Sequence, residues 1–239
     1  MTGRPPRVHG GDPIPAPGLL GALKELRLPL DALRWMPEWL AMPRDGAARP
    51  RTVLLLPGIG ASHRSLAVML AFLRRLGHDV HDWGLGRNTG RVPELRAAVS
   101  DRLAALRRQK RRRVVLVGWS LGGYIAREVA REHPELVRKV ITLGSPVVGG
   151  PRYTAVAAWY RARGQDLAQI EQRVASRYRQ PLRVPVTAIY SKRDGVVAWQ
   201  ACIDQWSPKV RHVEVDETHV GLVFAPRVLA IVAEEVGRE

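Results

Sequence analysis

Val114-Val115-Leu116-Val117-Gly118-Trp119-Ser120-Leu121-Gly122-Gly123-Tyr124, running on into Ile125-Ala126-Arg127-Glu128-Val129-Ala130, is the stretch that decides the architecture. Four aliphatics in a row before a glycine leave no polar face. The strand they form must be covered on both sides, as strands inside a parallel sheet are. The residues after Ser120 predict a helix that runs to His133 and stops at Pro134, which lacks the N–H a helix needs. Ser120 then stands on a sharp strand-to-helix turn inside a Gly-x-Ser-x-Gly frame. Such a turn strains the central residue and packs helix on strand closely, which the bare Gly118 and Gly122 permit. The hydroxyl projects above the sheet, beside free helix N–H groups that favour a developing negative charge.

Outward from this unit, strands and helices alternate. Thr52–Leu56 is a second buried strand, ending in Pro57-Gly58-Ile59-Gly60, and a helix follows with Ser62 as its N-cap and Gly77 as its stop. Asp79–Trp83 is a short strand that enters the loop 84–90. Its Gly-x-Gly opens no helix, so the loop is read as a rim beside the site and not as a dinucleotide cradle. A helix from Pro93 buries Leu95, Val99, Leu103 and Leu106. Lys139–Leu143, Val186–Tyr190 and His212–Val215 supply further strands, and Pro226 opens a closing helix. This alternation predicts an α/β fold with a mostly parallel central sheet of about six strands and helices on both faces. Residues 147–183 interrupt the pattern with helical spacing and an Asp166 capping signal, and are read as a small helical lid.

Residues 1–50 form an N-terminal arm outside this domain of residues 51–239. Pro5, Pro6, Pro13, Pro15 and Pro17 predict an extended, partly mobile tail. Residues 26–42 predict one or two short helices broken at Pro29, Pro37 and Pro43. Their tryptophans either pack the arm on the core or help line an acyl pocket.

Composition bounds the function. The chain of 239 residues, 46% hydrophobic and 25% charged, fits one soluble globular domain. The single cysteine, Cys202, excludes an internal disulfide and a thiolate zinc site. No His/Asp/Glu spacing resembles a metal ligand set, and no cofactor is expected. No apolar run approaches the ~18 residues of a membrane span, and prolines and glycines interrupt the N-terminus where a signal peptide would be apolar. A cytoplasmic monomer is the expectation. The formal charge of +16 comes mainly from arginine and acts through solubility and general attraction to anions. Its sharpest cluster, residues 107–113, precedes the strand leading to Ser120 and so falls on the opposite edge of the sheet. No specific nucleic-acid partner is expected, although a non-catalytic module binding anionic polymers stands as one alternative.

Serine is a poor nucleophile unless an imidazole takes its proton and a carboxylate orients that imidazole. Ser120, Asp194 and His219 each follow a predicted strand, so all three fall on the edge of the sheet where ligands gather. His219 is the histidine in the loop after the last strand. His63 competes but lies ahead of the serine and suits a pocket role. Asp194, followed by Gly195 in a tight turn, is the candidate acid, with Asp216 and Asp204 as alternatives. Acyl transfer also needs two N–H donors for the oxyanion, assigned to Leu121 and, from the loop after Thr52–Leu56, Ile59. Trp119, Trp159 and Tyr160 are read with His63 as substrate-binding residues.

The segments Pro57-Gly58-Ile59-Gly60, Gly118-Trp119-Ser120-Leu121-Gly122-Gly123, residues 191–197 and Asp216-Glu217-Thr218-His219 resemble the α/β-hydrolase superfamily, most closely its bacterial lipase and carboxylesterase branch. The resemblance runs from about residue 51 to the end. It implies a serine esterase or lipase that cleaves small acyl esters through an acyl-enzyme on Ser120. An acyltransferase using the same three residues is the other reading. Pro57 departs from the family, which usually carries histidine there, and removes a hydrogen bond that supports the oxyanion loop.

Overall fold

The structure, a computed structural model, describes residues 14–18, 21, 25, 28–42, 46, 49–178 and 180–238. Most of the predicted N-terminal tail, through residue 13, lies outside the described residues, as does Pro43. Six strands, β1 (Thr52–Leu56), β2 (Asp79–Asp82), β3 (Val114–Trp119), β4 (Val137–Leu143), β5 (Val186–Ser191) and β6 (Val210–Val215), form one sheet in the order β2-β1-β3-β4-β5-β6. Every pairing is parallel. The eight helices described are α1 (Leu28–Arg34), α2 (Met36–Leu40), α3 (Ala67–Arg75), α4 (Val92–Lys110), α5 (Leu121–Glu132), α6 (Ala157–Ala162), α7 (Leu167–Tyr178) and α8 (Pro226–Gly237).

Side chains alternate across a strand, so a wholly apolar strand feeds two cores. Val53, Leu55, Val115, Val117 and Ile141 pack with Met69 and Leu73 of α3 and Leu229 and Val232 of α8. Leu54, Leu56, Val114, Leu116 and Val140 pack on the other face with Leu95, Val99 and Leu103 of α4 and Ile125 and Val129 of α5. Trp35 and Met42 of the arm join the first core. Trp35 therefore packs on the core while Trp39 stays exposed, and neither reaches the cavity described below.

Three local readings are corrected. Pro29 and Pro37 sit at the second positions of α1 and α2, so they open these helices instead of breaking them. A proline there removes an N–H that has no intrahelical acceptor anyway and presets φ. The helix after Ser62 begins as a 3-10 turn, His63–Leu66, with the Ser62 hydroxyl accepting from the Arg64 N–H at 3.4 Å, before α3 starts. Gly195 is not required by its own turn. A Cβ there would lie 1.9 Å from the Gly21 carbonyl oxygen, so its bareness admits the arm's backbone.

Asp204 illustrates how a buried charge is tolerated. It is 2% exposed and meets Arg127 at 2.5 Å, while Trp206 and Ser207 N–H groups donate to its other oxygen. Burial alone would push its carboxyl up, but Arg127 and Ser207 outweigh that and hold it at about 2. The unfolded chain binds this proton more readily, so the contribution to stability is complete above about pH 4 and is lost as pH falls through about 2. The expected result is that the unfolding free-energy difference between wild type and Asp204→Asn, measured in urea, narrows by roughly 2 kcal/mol between pH 5 and pH 2. A difference constant with pH would show that Asp204 carries no such linkage.

Candidate active site

Ser120 has φ 54° and ψ −125°, a positive φ that Arg111 alone shares among the described non-glycine residues. Such strain costs on the order of 1–3 kcal/mol and persists only where the surroundings hold it. Here the neighbours are glycines whose side chains have no room. A Cβ at Gly118 would meet the Gly123 backbone at 2.4 Å, and one at Gly122 would meet the Leu56 carbonyl oxygen at 2.3 Å. Gly123 is a third member of this packing, since its Cβ would fall 2.0 Å from Ser145 Oγ. The Ser120 N–H donates to the Leu143 carbonyl at 2.8 Å, anchoring the turn to β4.

On the same edge, the loops after β5 and β6 bring Asp194 and His219 together. His219 Nδ1 lies 2.7 Å from Asp194 Oδ2, and both side chains are buried. The other carboxylate oxygen accepts the Val196 and Val197 N–H groups at 2.8 and 2.7 Å. A carboxylate only accepts, so Nδ1 carries the proton and Nε2 is left as the basic nitrogen. Gly144 makes room for this pair: a Cβ there would lie 2.8 Å from Asp194 Oδ2 and 3.0 Å from His219 Nδ1. The alternative acids are engaged elsewhere, Asp204 with Arg127 and the exposed Asp216 with Arg193 and Arg34. Trp119 ties this pair to the serine turn. Its Nε1 donates to the His219 carbonyl at 3.1 Å, and its ring lies 5.2 Å from the imidazole.

The loop after β1 is held by a residue the sequence reading passed over. Asn88 is 1% exposed, and its Nδ2 donates to the Pro57 carbonyl at 2.8 Å. Its backbone accepts from the Gly60 N–H and donates to the Ala61 carbonyl, each at 2.8 Å. A polar residue in the middle of a glycine-rich loop was the available signal, but nothing in the sequence says that the loop folds back on residues 57–61. Asn88 thus supplies from a neighbouring loop the support that the family's histidine would give at position 57. Among the described residues, neither the Ile59 nor the Leu121 N–H donates to another protein group.

A cavity of about 650 Å³ opens on Ser120 and is lined by Ile59, Leu121, Trp159 and Tyr160. Its roof is the 147–183 segment, where α6 and α7 pack on one another and on the 3-10 turn Gly150–Tyr153. Arg177 on α7 ion-pairs with Glu128 and Glu132 of α5, and Thr154 makes a β-bridge to Val197, so the roof is tied down on both sides. Burial pushes the Tyr124 and Tyr160 phenols up, so they line the cavity as neutral groups. Two residues read as substrate-binding stand apart. His63 is exposed on its 3-10 turn, and Trp119 lies beneath Gly58 against His219; neither lines the cavity. Adjacency in sequence to Ser120 placed Trp119 at the site, but its side chain leaves the turn on the loop-bracing side.

Comparison with known proteins places this geometry. A sequence profile described as alpha/beta hydrolase family matches residues 53–234. The chain belongs to the alpha/beta hydrolase family. The chain is 34% identical over 130 residues to the pimeloyl-[acyl-carrier protein] methyl ester esterase of Edwardsiella ictaluri, a match covering 53% of this chain and 47% of that one. The chain thus spans about half the length, or less, of the curated relatives it matches. Among solved structures, a lipase-esterase related protein from Clostridium acetobutylicum superposes with a TM-score of 0.60 at 16% identity, covering 80% of this chain and 95% of that protein. A structure from the metagenome-derived lipolytic enzymes LipS and LipT gives 0.63 at 15% identity, covering 82% and 94%. At these identities they share the fold. Among the described residues, no cluster of His, Cys, Asp and Glu could hold a metal ion, and no helix is long and apolar enough to cross a membrane.

Proposed function

We propose that this hydrolase cleaves carboxylic esters through an acyl-enzyme on Ser120, with His219 as general base and Asp194 as its orienting acid. The observation that carries the reading is the 2.7 Å bond from a buried imidazole to a buried carboxylate, on the same sheet edge as a strained serine that opens into a cavity. His219 Nε2 takes the proton as Ser120 Oγ attacks the ester carbonyl. The N–H groups of Ile59 and Leu121 receive the negative charge that develops on the carbonyl oxygen, a contribution of about 3 kcal/mol each. The imidazolium then protonates the leaving alcohol, and water, activated by the same imidazole, releases the acid.

The cavity supports a small to medium acyl chain, with Trp159 and Tyr160 as its apolar wall. Its lid side is also cationic. Arg163 lies over Trp159 at 3.9 Å and Arg173 bonds the Gln169 amide, and neither pairs with a carboxylate among the described residues. An acyl chain or carrier with negative charge at its far end fits this wall.

The test is a chain-length series of p-nitrophenyl esters followed before the steady state. A burst of p-nitrophenol near one equivalent is expected with the butyrate, the mark of an accumulating acyl-enzyme. Absence of both burst and turnover across the series would defeat the reading. Products formed with competing alcohols or thiols separate hydrolysis from acyl transfer.

A further inference from the structure

The family match begins at residue 53, yet a residue far upstream of it reaches both loops that carry the acid and the base. Glu25 Oε1 accepts the N–H of Gly195 at 3.1 Å and the N–H of His219 at 3.0 Å, and Oε2 accepts the N–H of Val220 at 2.9 Å. Three backbone donors from two loops thus converge on one carboxylate. Loop N–H groups have no sheet or helix ladder to satisfy them, and bonds to an ionised acceptor are roughly twice as strong as neutral ones. The arm is seated for this contact. Gly195 and Gly21 meet backbone to backbone, Arg34 pairs with Glu217 at 2.7 Å, the Trp35 indole N–H donates to Glu217, and Asp31 lies 3.8 Å from Arg193.

We propose that Glu25 is a positioning residue for the reaction. It clamps the Asp194 loop to the His219 loop, so that carboxylate and imidazole are already at bonding distance before substrate arrives. The inference rests on the function proposed above. Glu25 touches no reacting atom, and no described residue of the arm lines the cavity, so its effect falls on kcat and not on KM. Glutamine at 25 would keep one accepting oxygen and turn an NH2 group toward at least one of the three donors. Alanine would abandon all three.

The experiment compares wild type, Glu25→Gln, Glu25→Ala and the control Leu40→Ala, which alters an exposed side chain of the same arm. Turnover of p-nitrophenyl butyrate and amide hydrogen exchange at Gly195, His219 and Val220 are measured on the full chain. The expected result is a kcat reduced about tenfold in the glutamine variant and about a hundredfold in the alanine variant. KM should stay within about threefold, exchange at the three amides should quicken at least tenfold, and Leu40→Ala should match wild type. Unchanged exchange in both variants, or an effect confined to KM, overturns the proposal. If Glu25→Ala fails to fold, Glu25→Gln decides by the same criteria. If wild type turns over no ester, it is the proposed function that has failed. The exchange data then decide the clamp alone: lost protection in the variants sustains it, and unchanged protection overturns it.

Discussion

Replacing Ser120 by alanine is expected to lower kcat on p-nitrophenyl butyrate by at least about four orders of magnitude and to remove the burst, with the fold retained. Ser120 opens into the cavity beside the free N–H groups of Ile59 and Leu121, and its hydroxyl is the proposed nucleophile. Ser120 holds φ 54° because glycines at 118, 122 and 123 let strand β3 and helix α5 close on the turn, and alanine occupies the same space without the oxygen. The variant should therefore unfold within a few degrees of wild type, which separates lost chemistry from lost structure. Residual catalysis above the uncatalysed rate is expected from the oxyanion donors alone. Turnover within tenfold of wild type would remove Ser120 from the mechanism.

The second large effect is expected from Asp194→Asn, a change of one atom that the hydrogen bonds convert into a change of tautomer. Asp194 Oδ1 holds the Val196 and Val197 N–H groups, while Oδ2 faces His219 Nδ1. An asparagine must leave its one carbonyl oxygen with the two backbone donors, so its NH2 group turns to the imidazole. Nδ1 then becomes the acceptor and the proton moves to Nε2, the nitrogen that has to receive the serine proton. The loop stays folded and the cavity is untouched, so KM should change little while kcat falls by roughly three to four orders of magnitude. The rate at which a fluorophosphonate labels Ser120 should fall in parallel. A loss of less than tenfold would mean that Asp194 is not the partner that orients the base.

Part of this was legible from residue types and spacing. Runs such as Val114–Val117 and Thr52–Leu56 have no polar face, so burial on both sides and a parallel sheet follow from the hydrophobic effect alone. The Gly-x-Ser-x-Gly frame reads just as directly, because only glycine fits where a helix backbone crosses a strand at contact distance. The order of Ser120, Asp194 and His219, each directly after a strand, follows from the rule that every parallel strand delivers its C-terminal loop to one edge. The roles of Asn88 and Glu25 were not legible, and neither was the turning of Trp119 away from the cavity.

What the sequence determined by itself is the sheet, the turn that carries Ser120 and the choice of loops on the same edge, since each is set by local periodicity and by the room that glycine leaves. Only the tertiary structure decided which carboxylate meets His219, which polar side chain supports residues 57–61, and that Glu25 of the arm bonds the loops of both Asp194 and His219. These are pairings between segments distant along the chain. A hydrogen bond of this kind depends on the last ångström of separation between two loops, a distance that residue order does not encode and that packing of the whole domain sets.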